Sequence, residues 1–240
     1  MTITVVEVIK QADQGLSSPF LCRGDDDLMY FVKGRASGRA SQWAEWLAGH
    51  LGQALGLPIP DFRLVDVPVE LVWECPTELR GIGAGVAFAS LRRDACQWLE
   101  AVAAARVPED LRRDLFVFDW WVCNEDRTRG NPNLLWEPAS GSTVVIDHNQ
   151  AFAPDFDPGR FMEHHLFASD GLALLDDLVE GVRYAERLER ALGVWDAACN
   201  NAPEEWRWEN DERDVPAAFD PIAARALLAR CSNPDFWRRP

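Results

Sequence analysis

The chain has 240 residues, of which 48% are hydrophobic, so it is long enough to bury a substantial core without disulfides or a structural metal. Its 39 acidic residues outnumber its 24 basic residues, and the formal net charge is −15. Because this charge repels the phosphate backbone of nucleic acids and the anionic face of membranes, we expect neither as a partner.

The sequence also gives expectations about the compartment. No apolar run approaches the roughly 18 residues that span a bilayer, and residues 1–10 do not resemble a signal peptide. The six cysteines are scattered without a C-x-x-C pair, which indicates neither a zinc knuckle nor a disulfide framework. His164 and His165 are adjacent, so their side chains point apart and do not predict a shared metal site. We expect a cytoplasmic protein without a membrane anchor.

Residues 1–90 predict an antiparallel, twisted sheet with one helix. Runs of β-branched and apolar residues predict strands at 2–10, 19–23, 28–33, 59–67, 69–73 and 86–90. Between them, Trp43, Leu47 and Leu51 recur at helical spacing and predict a helix over 40–55. Gly56, followed by Pro58, supplies its end.

Residues 91–240 predict a mostly helical second part. Helical patterns cover 94–106 and 108–123, and a hairpin is predicted from 134–136 and 143–146. From about residue 172 the pattern is again helical, while the acidic, tryptophan-rich stretch 203–214 is interpreted as a loop or fraying linker. The predicted fold class is therefore α+β, with its boundary near residue 90.

The loop between the first two strands is a candidate anion site. Gly15, Ser17 and Ser18 offer backbone N–H groups and hydroxyls that suit a phosphate. A single glycine lacks the spacing of a phosphate-binding fingerprint, so an ordinary polar hairpin loop is the alternative.

Two polar clusters interrupt very apolar surroundings in the second part. Asp126 lies in a loop after the helix of residues 108–123, Asn131 follows it by five residues, and Asp147 follows it by 21. The hairpin between them would return Asp147 to the first loop, so two carboxylates and an amide are expected to converge. The alternative interpretation is that each is a turn former, since Asp and Asn are favoured in loops.

This convergence is what phosphoryl transfer requires. Mg²⁺ holds the triphosphate through oxygen ligands, and a positioned carboxylate orients the incoming hydroxyl. We therefore predict Asn131 and Asp147 as the metal ligands and Asp126 as the catalytic carboxylate that acts on the acceptor.

Lys33 gives an independent indication of the same chemistry. It ends an apolar row on its strand, from which an ammonium can reach phosphates, and Glu45 on the following helix is its expected partner. The alternative is that Lys33 keeps an edge strand soluble and that Glu45 is a solvated helix charge.

The order of these motifs is similar to that of protein-kinase-like enzymes. Their amino-acid sequences resemble those of the HipA-like kinases, specifically the small single-domain branch. The resemblance covers about residues 5–152, and the Asp-Arg and Ile-Asp pairs also resemble phosphatidylinositol kinases. It rests on the segments Tyr30-Phe-Val-Lys-Gly34, Leu55-Gly-Leu-Pro-Ile-Pro60, Asn124-Glu-Asp-Arg127, Asn131-Pro-Asn-Leu-Leu135 and Ile146-Asp-His148.

The resemblance implies a two-lobed kinase-like fold, with residues 1–90 as the N-lobe and 91–240 as the C-lobe. It implies an ATP- and Mg²⁺-dependent phosphotransferase. Its implied roles are ATP-phosphate contact for Lys33, support of that lysine by Glu45, catalysis by Asp126, Mg²⁺ binding by Asn131 and Asp147, and a phosphate loop at Gly15, Ser17 and Ser18.

The sequence departs from the kinase pattern in three places. The usual His-Arg before the catalytic aspartate is Asn124-Glu125, and the usual Phe-Gly after the metal aspartate is His148-Asn149. Both fit the HipA-like branch. The third departure, the lack of a glycine-triplet loop, leaves the geometry of nucleotide binding open.

The acceptor is not readable, because specificity lies in the site and not in the scaffold. A protein serine or threonine follows from family analogy, and a small hydroxylated molecule fits the same scaffold. The main alternative is a pseudokinase that senses nucleotide without transferring phosphate. A metal-dependent hydrolase would leave Lys33 and Glu45 without a use, and a purely structural protein would leave the order of Asp126 and Asp147 unexplained.

Overall fold

The computed structural model describes residues 2–12 and 18–239 and has a mixed α+β architecture. The chain divides into two compact units. The first, which we call the barrel unit, consists of Met1–Trp46, Pro60–Asp94 and Asn201–Phe219. The second, the helical unit, consists of Leu47–Ile59, Ala95–Asn200 and Asp220–Pro240. These units interleave along the chain, and the lobe boundary at residue 90 stays a prediction.

The barrel unit is built on a five-stranded sheet that closes on itself. Its strands are β1 (Ile3–Gln11), β2 (Phe20–Gly24), β3 (Met29–Lys33), β4 (Phe62–Val67) and β5 (Gly85–Leu91). Their order in the closed barrel is β1-β2-β3-β5-β4. The pairs are antiparallel, as predicted, except that Ile3 and Thr4 of β1 pair in parallel with β4 and close the barrel.

Side chains point alternately inward and outward along these strands, and those that point inward fill the interior of the barrel. Phe20, Cys22, Tyr30 and Val32 point inward from β2 and β3 and are at most 2% exposed. The Tyr30 hydroxyl donates to Asp26 Oδ2 over 2.7 Å in the turn between the two strands. Burying these side chains is the main favourable contribution to the stability of the unit.

The helix predicted over 40–55 is α1 (Arg39–Leu55), but it is buried on more sides than one apolar stripe predicts. Every residue from 41 to 49 is buried, including Gln42 and Glu45. The cover comes in part from the Asn201–Phe219 segment of the barrel unit, whose Trp206 is fully buried and lies edge-on against Trp43. Most of the stretch 203–214 is the loop that the sequence predicted, but the alternative of a fraying linker is wrong, because Trp206 packs against a residue far away in sequence.

Two further predicted elements differ in the structure. The predicted strand 69–73 is a helix, α2 (Val69–Glu74), which begins after the extended Pro68 and carries Glu70 in its first turn. The predicted helix 94–106 contains a two-residue strand, β6 (Gln97–Trp98), and a 3₁₀ helix at Ala101–Arg106. Pairing of β6 with a later hairpin replaces the local helical preference.

The central helix of the helical unit is α3 (Glu109–Val122), whose residues 115–122 are all buried. Trp121 Nε1 donates to the Leu228 carbonyl and Trp120 Nε1 to the Phe236 carbonyl, so α3 holds the end of the chain. The later helices are α4 (Pro158–His164), α5 (Ala168–Gly171), α6 (Leu178–Leu192), α7 (Trp195–Asn201) and α8 (Pro221–Leu228).

The predicted hairpin is present as β7 (Leu134–Glu137) and β8 (Ser142–Val145), and β6 pairs with the outer side of β7. It places the end of β8 beside the start of β7. In the part of the chain that the structure describes, no helix has both the length and the apolar character needed to cross a membrane.

Candidate active site

Lys33 and Glu45 form a buried ion pair within the barrel unit. Lys33 is the last residue of β3, and its Nζ donates to Glu45 Oε1 on α1. The two side chains are only 7% and 4% exposed. The structure therefore brings together the two residues that the sequence paired, and neither is the solvated surface charge of the alternative interpretation.

The backbone after Lys33 is held close to its surroundings. A Cβ atom on Gly34 would lie 2.0 Å from the carbonyl oxygen of Ile82, so only glycine fits at this position. Gly34 thus lets β3 end against the 3₁₀ helix at Thr77–Ile82, and this contact fixes where the lysine strand ends.

In the helical unit, the loop that carries Asp126 begins where α3 ends. Cys123 adopts a left-handed conformation with φ of 55° and turns the chain out of the helix. Asn124 is fully buried; its Nδ2 donates to Asp119 Oδ1 over 2.9 Å, and its Oδ1 accepts from the Asp126 N–H over 3.2 Å. The asparagine that departs from the usual kinase motif therefore shapes the loop at Asp126.

A buried charge network that the sequence did not reveal lies under the loop. Arg127 Nε donates to Asp119 Oδ2 over 2.6 Å, and both residues are fully buried. Arg127 Nη1 also donates to the carbonyl oxygens of Pro132 and Asn133 over 3.2 and 2.8 Å. Burial disfavours ionisation of Asp119, but Arg127 and His165 outweigh burial and hold its pKa well below the usual range. The network fixes both ends of the loop.

His165 completes this network as a neutral side chain. Its Nδ1 accepts from the Phe167 N–H over 3.2 Å, so the proton is on Nε2, which lies 3.1 Å from Asp119 Oδ2. Phe116, Phe161 and Phe167 surround the ring. Burial lowers the pKa of His165, although Asp119 alone would raise it. Nothing local in the sequence identified the partner, because Asp119 lies 46 residues earlier in the chain.

This arrangement predicts a pH-dependent stability. Because the folded pKa of His165 lies below its ordinary value of 6.5, the unfolded chain binds the proton first, and stability present above pH 6.5 is lost as the pH falls below it. The loss is at most about 1.4 kcal/mol per pH unit for this one group. Urea unfolding between pH 7.5 and 5.5 should show the slope.

The comparison is between two histidine variants. His165→Gln should flatten the slope, with His50, whose pKa burial also lowers, contributing what remains. The neighbouring His164→Gln, at an exposed position, is the matched control and should keep the wild-type slope. An unchanged slope in His165→Gln would contradict the assignment of a neutral, buried imidazole.

The Asp126 carboxylate is held by two amides. Asn131 Nδ2 and Asn133 Nδ2 each donate to Asp126 Oδ2 over 2.9 Å. The sequence predicted that Asp126 and Asn131 converge, and the structure joins them directly. It adds Asn133, which is fully buried, has a left-handed φ of 50°, and was not singled out in the sequence.

Asp147 lies just beyond β8 and is brought to the same region by the hairpin. Leu134 pairs with Val145, and the Ile146 N–H donates to the Asn133 carbonyl oxygen over 3.1 Å. That carbonyl also accepts from Arg127, so one backbone atom joins the Asp126 loop to the strand end that carries Asp147. Asp147 has φ of 59°, in the left-handed region that Asp and Asn tolerate better than most residues.

The donor set suits Mg²⁺ better than a transition metal. Among the described residues there is no group of three or more His, Cys, Asp or Glu side chains that could hold a metal ion. Mg²⁺ does not need such a cage, since it is commonly bound by one or two carboxylates, water and substrate phosphates. The buried Asn133 Oδ1 has no hydrogen-bond partner among the described residues, which leaves a polar acceptor for a cation or its water.

Of the residues predicted to form the phosphate loop, Ser18 lies within the described part of the chain. Gly15 and Ser17 lie outside the described residues. Ser18 has φ of 35°, its carbonyl oxygen accepts from Gln11 Nε2 over 3.1 Å, and the Ala12 N–H donates to the Pro19 carbonyl at the base of the loop. A phosphate role for the three residues stays a prediction.

A cavity of about 460 Å³ lies beside the Asp126 loop within the helical unit. Glu125, Arg129, Arg160 and His164 are among its lining residues, and Arg160 Nε donates to Glu125 Oε2. The lining therefore carries both signs of charge, and its size is within the range of small-ligand pockets. Residues on both sides of Asp126 border this cavity.

Among the comparisons with known proteins, one identifies a family and another a fold. The family model described as HipA-like kinase matches residues 5–240. A solved structure titled as a Helicobacter pylori proinflammatory kinase, CtkA, is similar with a TM-score of 0.57 at 12% sequence identity. The match covers 99% of this chain and 97% of that chain, and at this identity it supports the fold alone. No curated protein matches the sequence significantly.

Proposed function

The chain belongs to the HipA-like kinase family, and we propose that it transfers the γ-phosphate of ATP to a hydroxyl acceptor with the help of Mg²⁺. In this reaction the acceptor oxygen forms a bond to the γ-phosphorus, the bond to the bridging oxygen of ADP breaks, and the hydroxyl proton leaves the acceptor. A bound Mg²⁺ would neutralise phosphate charge, and Asn131 and Asp147 are the residues we assign to hold it.

The observation that carries the proposal is the buried Lys33–Glu45 pair. Burying two charges costs desolvation that their attraction does not reliably repay, so such a pair is weak evidence for stability. A phosphate-binding role gives the pair a reason, because Glu45 would fix the lysine ammonium where nucleotide phosphates bind. The chain has 22 arginines and only two lysines, so arginine is its usual basic residue. The lysine at position 33 departs from that usage.

Asp126 acts on the acceptor side. Asn131 and Asn133 both donate to Oδ2, so we assign Oδ1 to receive the proton of the acceptor hydroxyl. Arg127 fixes the loop from below and does not touch the reacting atoms. The acceptor, a protein serine or threonine or a small hydroxylated molecule, would approach through the cavity that Glu125 and Arg129 line on the two sides of Asp126.

The presence of only two lysines makes a direct test of this site available. A lysine-reactive acyl phosphate analogue of ATP should acylate Lys33 and spare Lys10, which is exposed on β1, and excess Mg-ATP should protect Lys33. Peptide mass spectrometry identifies the modified residue. Labelling of Lys10 alone, or labelling of Lys33 that Mg-ATP does not reduce, would contradict the assignment of a nucleotide site at Lys33. Labelling and protection without phosphate transfer to any acceptor would instead indicate the pseudokinase alternative.

A paired substitution tests the lysine by kinetics. Lys33→Met alone would leave the buried Glu45 carboxylate without its cation. This would lower the free energy of unfolding by about 3–5 kcal/mol. The double variant Lys33→Met/Glu45→Gln avoids that charge, should stay folded, and should lower kcat/KM for ATP by about 10²-fold, the effect typical of removing one charge-stabilising group. Lys10→Met is the matched control and should keep wild-type kinetics. Wild-type kinetics in the double variant would return Lys33 to a structural role.

A further inference from the structure

Two buried polar residues of α1 have no part in the site described above. Gln42 is fully buried and Arg39 is 4% exposed. Gln42 Nε2 donates to the backbone carbonyl of Lys33 over 2.8 Å, and Gln42 Oε1 accepts from Arg39 Nη1 over 2.8 Å. Hydrogen bonds thus run from the end of the lysine strand to the first residue of α1.

The other side of Arg39 meets the Asn201–Phe219 segment. Arg39 Nε donates to the Trp208 carbonyl over 3.2 Å, and Arg39 Nη2 lies 3.6 Å from Glu205 Oε1. The same Glu205 oxygen accepts from the Val86 N–H over 2.9 Å. Glu205 therefore joins a buried guanidinium of α1 to a backbone group of β5.

These contacts form a closed circuit around Lys33. Val86 and Phe88 are on β5, and Phe88 pairs with Lys33 in the barrel. The circuit runs from the Lys33 carbonyl through Gln42, Arg39 and Glu205 to Val86, and back along β5. Glu45 lies three residues after Gln42, which places both on one side of α1, facing β3. The circuit therefore joins the same two elements, α1 and β3, that the Lys33–Glu45 pair joins.

The segment that supplies Glu205 is anchored by tryptophans. Trp206 Nε1 donates to the Val86 carbonyl, and Trp43 Nε1 donates to the Trp206 carbonyl, each over 2.9 Å. The Trp206 ring lies edge-on to Trp43 and Trp46 at centroid distances of 6.0 and 6.4 Å. Since Trp43 and Trp46 flank Glu45 in the sequence, packing and hydrogen bonds act on the same turns of α1.

We propose that Gln42, Arg39 and Glu205 are positioning residues, through which the Asn201–Phe219 segment aligns Lys33 and Glu45 for the nucleotide. This inference rests on the proposed function. It predicts that cutting the circuit changes how Lys33 meets the nucleotide even where the fold is kept.

The experiment measures the rate at which the acyl phosphate analogue of ATP labels Lys33. Gln42→Glu keeps the size and the acceptor for Arg39 but cannot donate to the Lys33 carbonyl. Glu205→Gln keeps an acceptor for the Val86 N–H but loses the charge that faces Arg39. We expect both variants to slow Lys33 labelling by about fivefold, corresponding to about 1 kcal/mol, at temperatures where circular dichroism shows them folded.

The neighbouring Glu204→Gln makes the same charge change at an exposed position and should label at the wild-type rate. Labelling of Lys33 at the wild-type rate in both circuit variants would overturn the proposal, whatever happens to their melting temperatures. Absence of labelling in the wild type would instead remove the nucleotide site itself, so the two failures are distinguishable. If Gln42→Glu does not fold, Glu205→Gln, whose side chain is partly exposed, decides the result.

Discussion

Asp126→Asn should lower the rate of phosphate transfer by about 10²- to 10⁴-fold, which is the usual contribution of a general base. The reason is that the amide cannot take the proton of the acceptor hydroxyl. ATP affinity should stay near that of the wild type, because Asp126 is assigned to the acceptor and not to the nucleotide. Transfer is measured with γ-labelled ATP and ATP affinity by calorimetry.

The loop should survive this substitution. The amide oxygen introduced at position 126 can still accept from Asn131 and Asn133, the two donors that hold the native carboxylate. Asp155→Asn, an identical change at an exposed residue, is the matched control and should transfer phosphate at the wild-type rate. Full activity of Asp126→Asn would disprove the catalytic assignment, and a parallel loss of ATP binding would move Asp126 to the nucleotide.

The second large effect is expected at Asp147. Ligand binding raises stability by RT ln(1 + [L]/Kd), about 2.7 kcal/mol at a hundredfold excess over Kd. The wild type should therefore melt at a higher temperature with Mg-ATP than with ATP and a chelator. In Asp147→Asn this magnesium-dependent increment should largely vanish, because the anionic ligand is lost while the side-chain size is kept.

The backbone makes asparagine the right substitution at this position. Asp147 has φ of 59°, which asparagine adopts readily and alanine does not, so Asp147→Asn should keep the apo melting temperature. Asp155→Asn again serves as the control and should retain the full increment. If Asp147→Asn also retains the magnesium-dependent increment, Asp147 is not a metal ligand. The proposed arrangement of Mg²⁺ and phosphate would then be wrong.

The sequence predicted the features that have local signals. Strand β1 follows from a β-branched run and β2 and β3 from short apolar runs. Helices α1 and α3 follow from helical spacing, and the hairpin of β7 and β8 from its turn residues. The proximity of Asp126 and Asn131 followed from their spacing, and the pairing of Lys33 with Glu45 from the order strand then helix. Each of these inferences depends on residues that are near one another in the chain.

What the sequence did not reveal depends on distant contacts. Asp119 lies within an apolar helix, and its partner His165 is 46 residues away, so no spacing rule joins them. Trp206 packs against Trp43 on α1 across 163 residues, and no spacing rule in the sequence predicts that contact. Residues 94–106 have helical composition, yet pairing of β6 with β7 decides their conformation. Tertiary contacts override local preference at these places.

The interleaving of the two units has a consequence for how the chain is synthesised. The barrel unit contains residues 1–94, apart from 47–59, and also Asn201–Phe219, so its last piece leaves the ribosome after most of the 240 residues have been made. Until then Trp43 and Trp46 lack the tryptophan that covers them, and Arg39 lacks Glu205. A nascent chain that ends before residue 201 would thus carry an unfinished, tryptophan-lined surface, which is the kind of apolar exposure that chaperones bind and that favours aggregation. Stalling or premature termination just before residue 201 should therefore yield product that is cleared or aggregated, and not an independently stable N-terminal fragment.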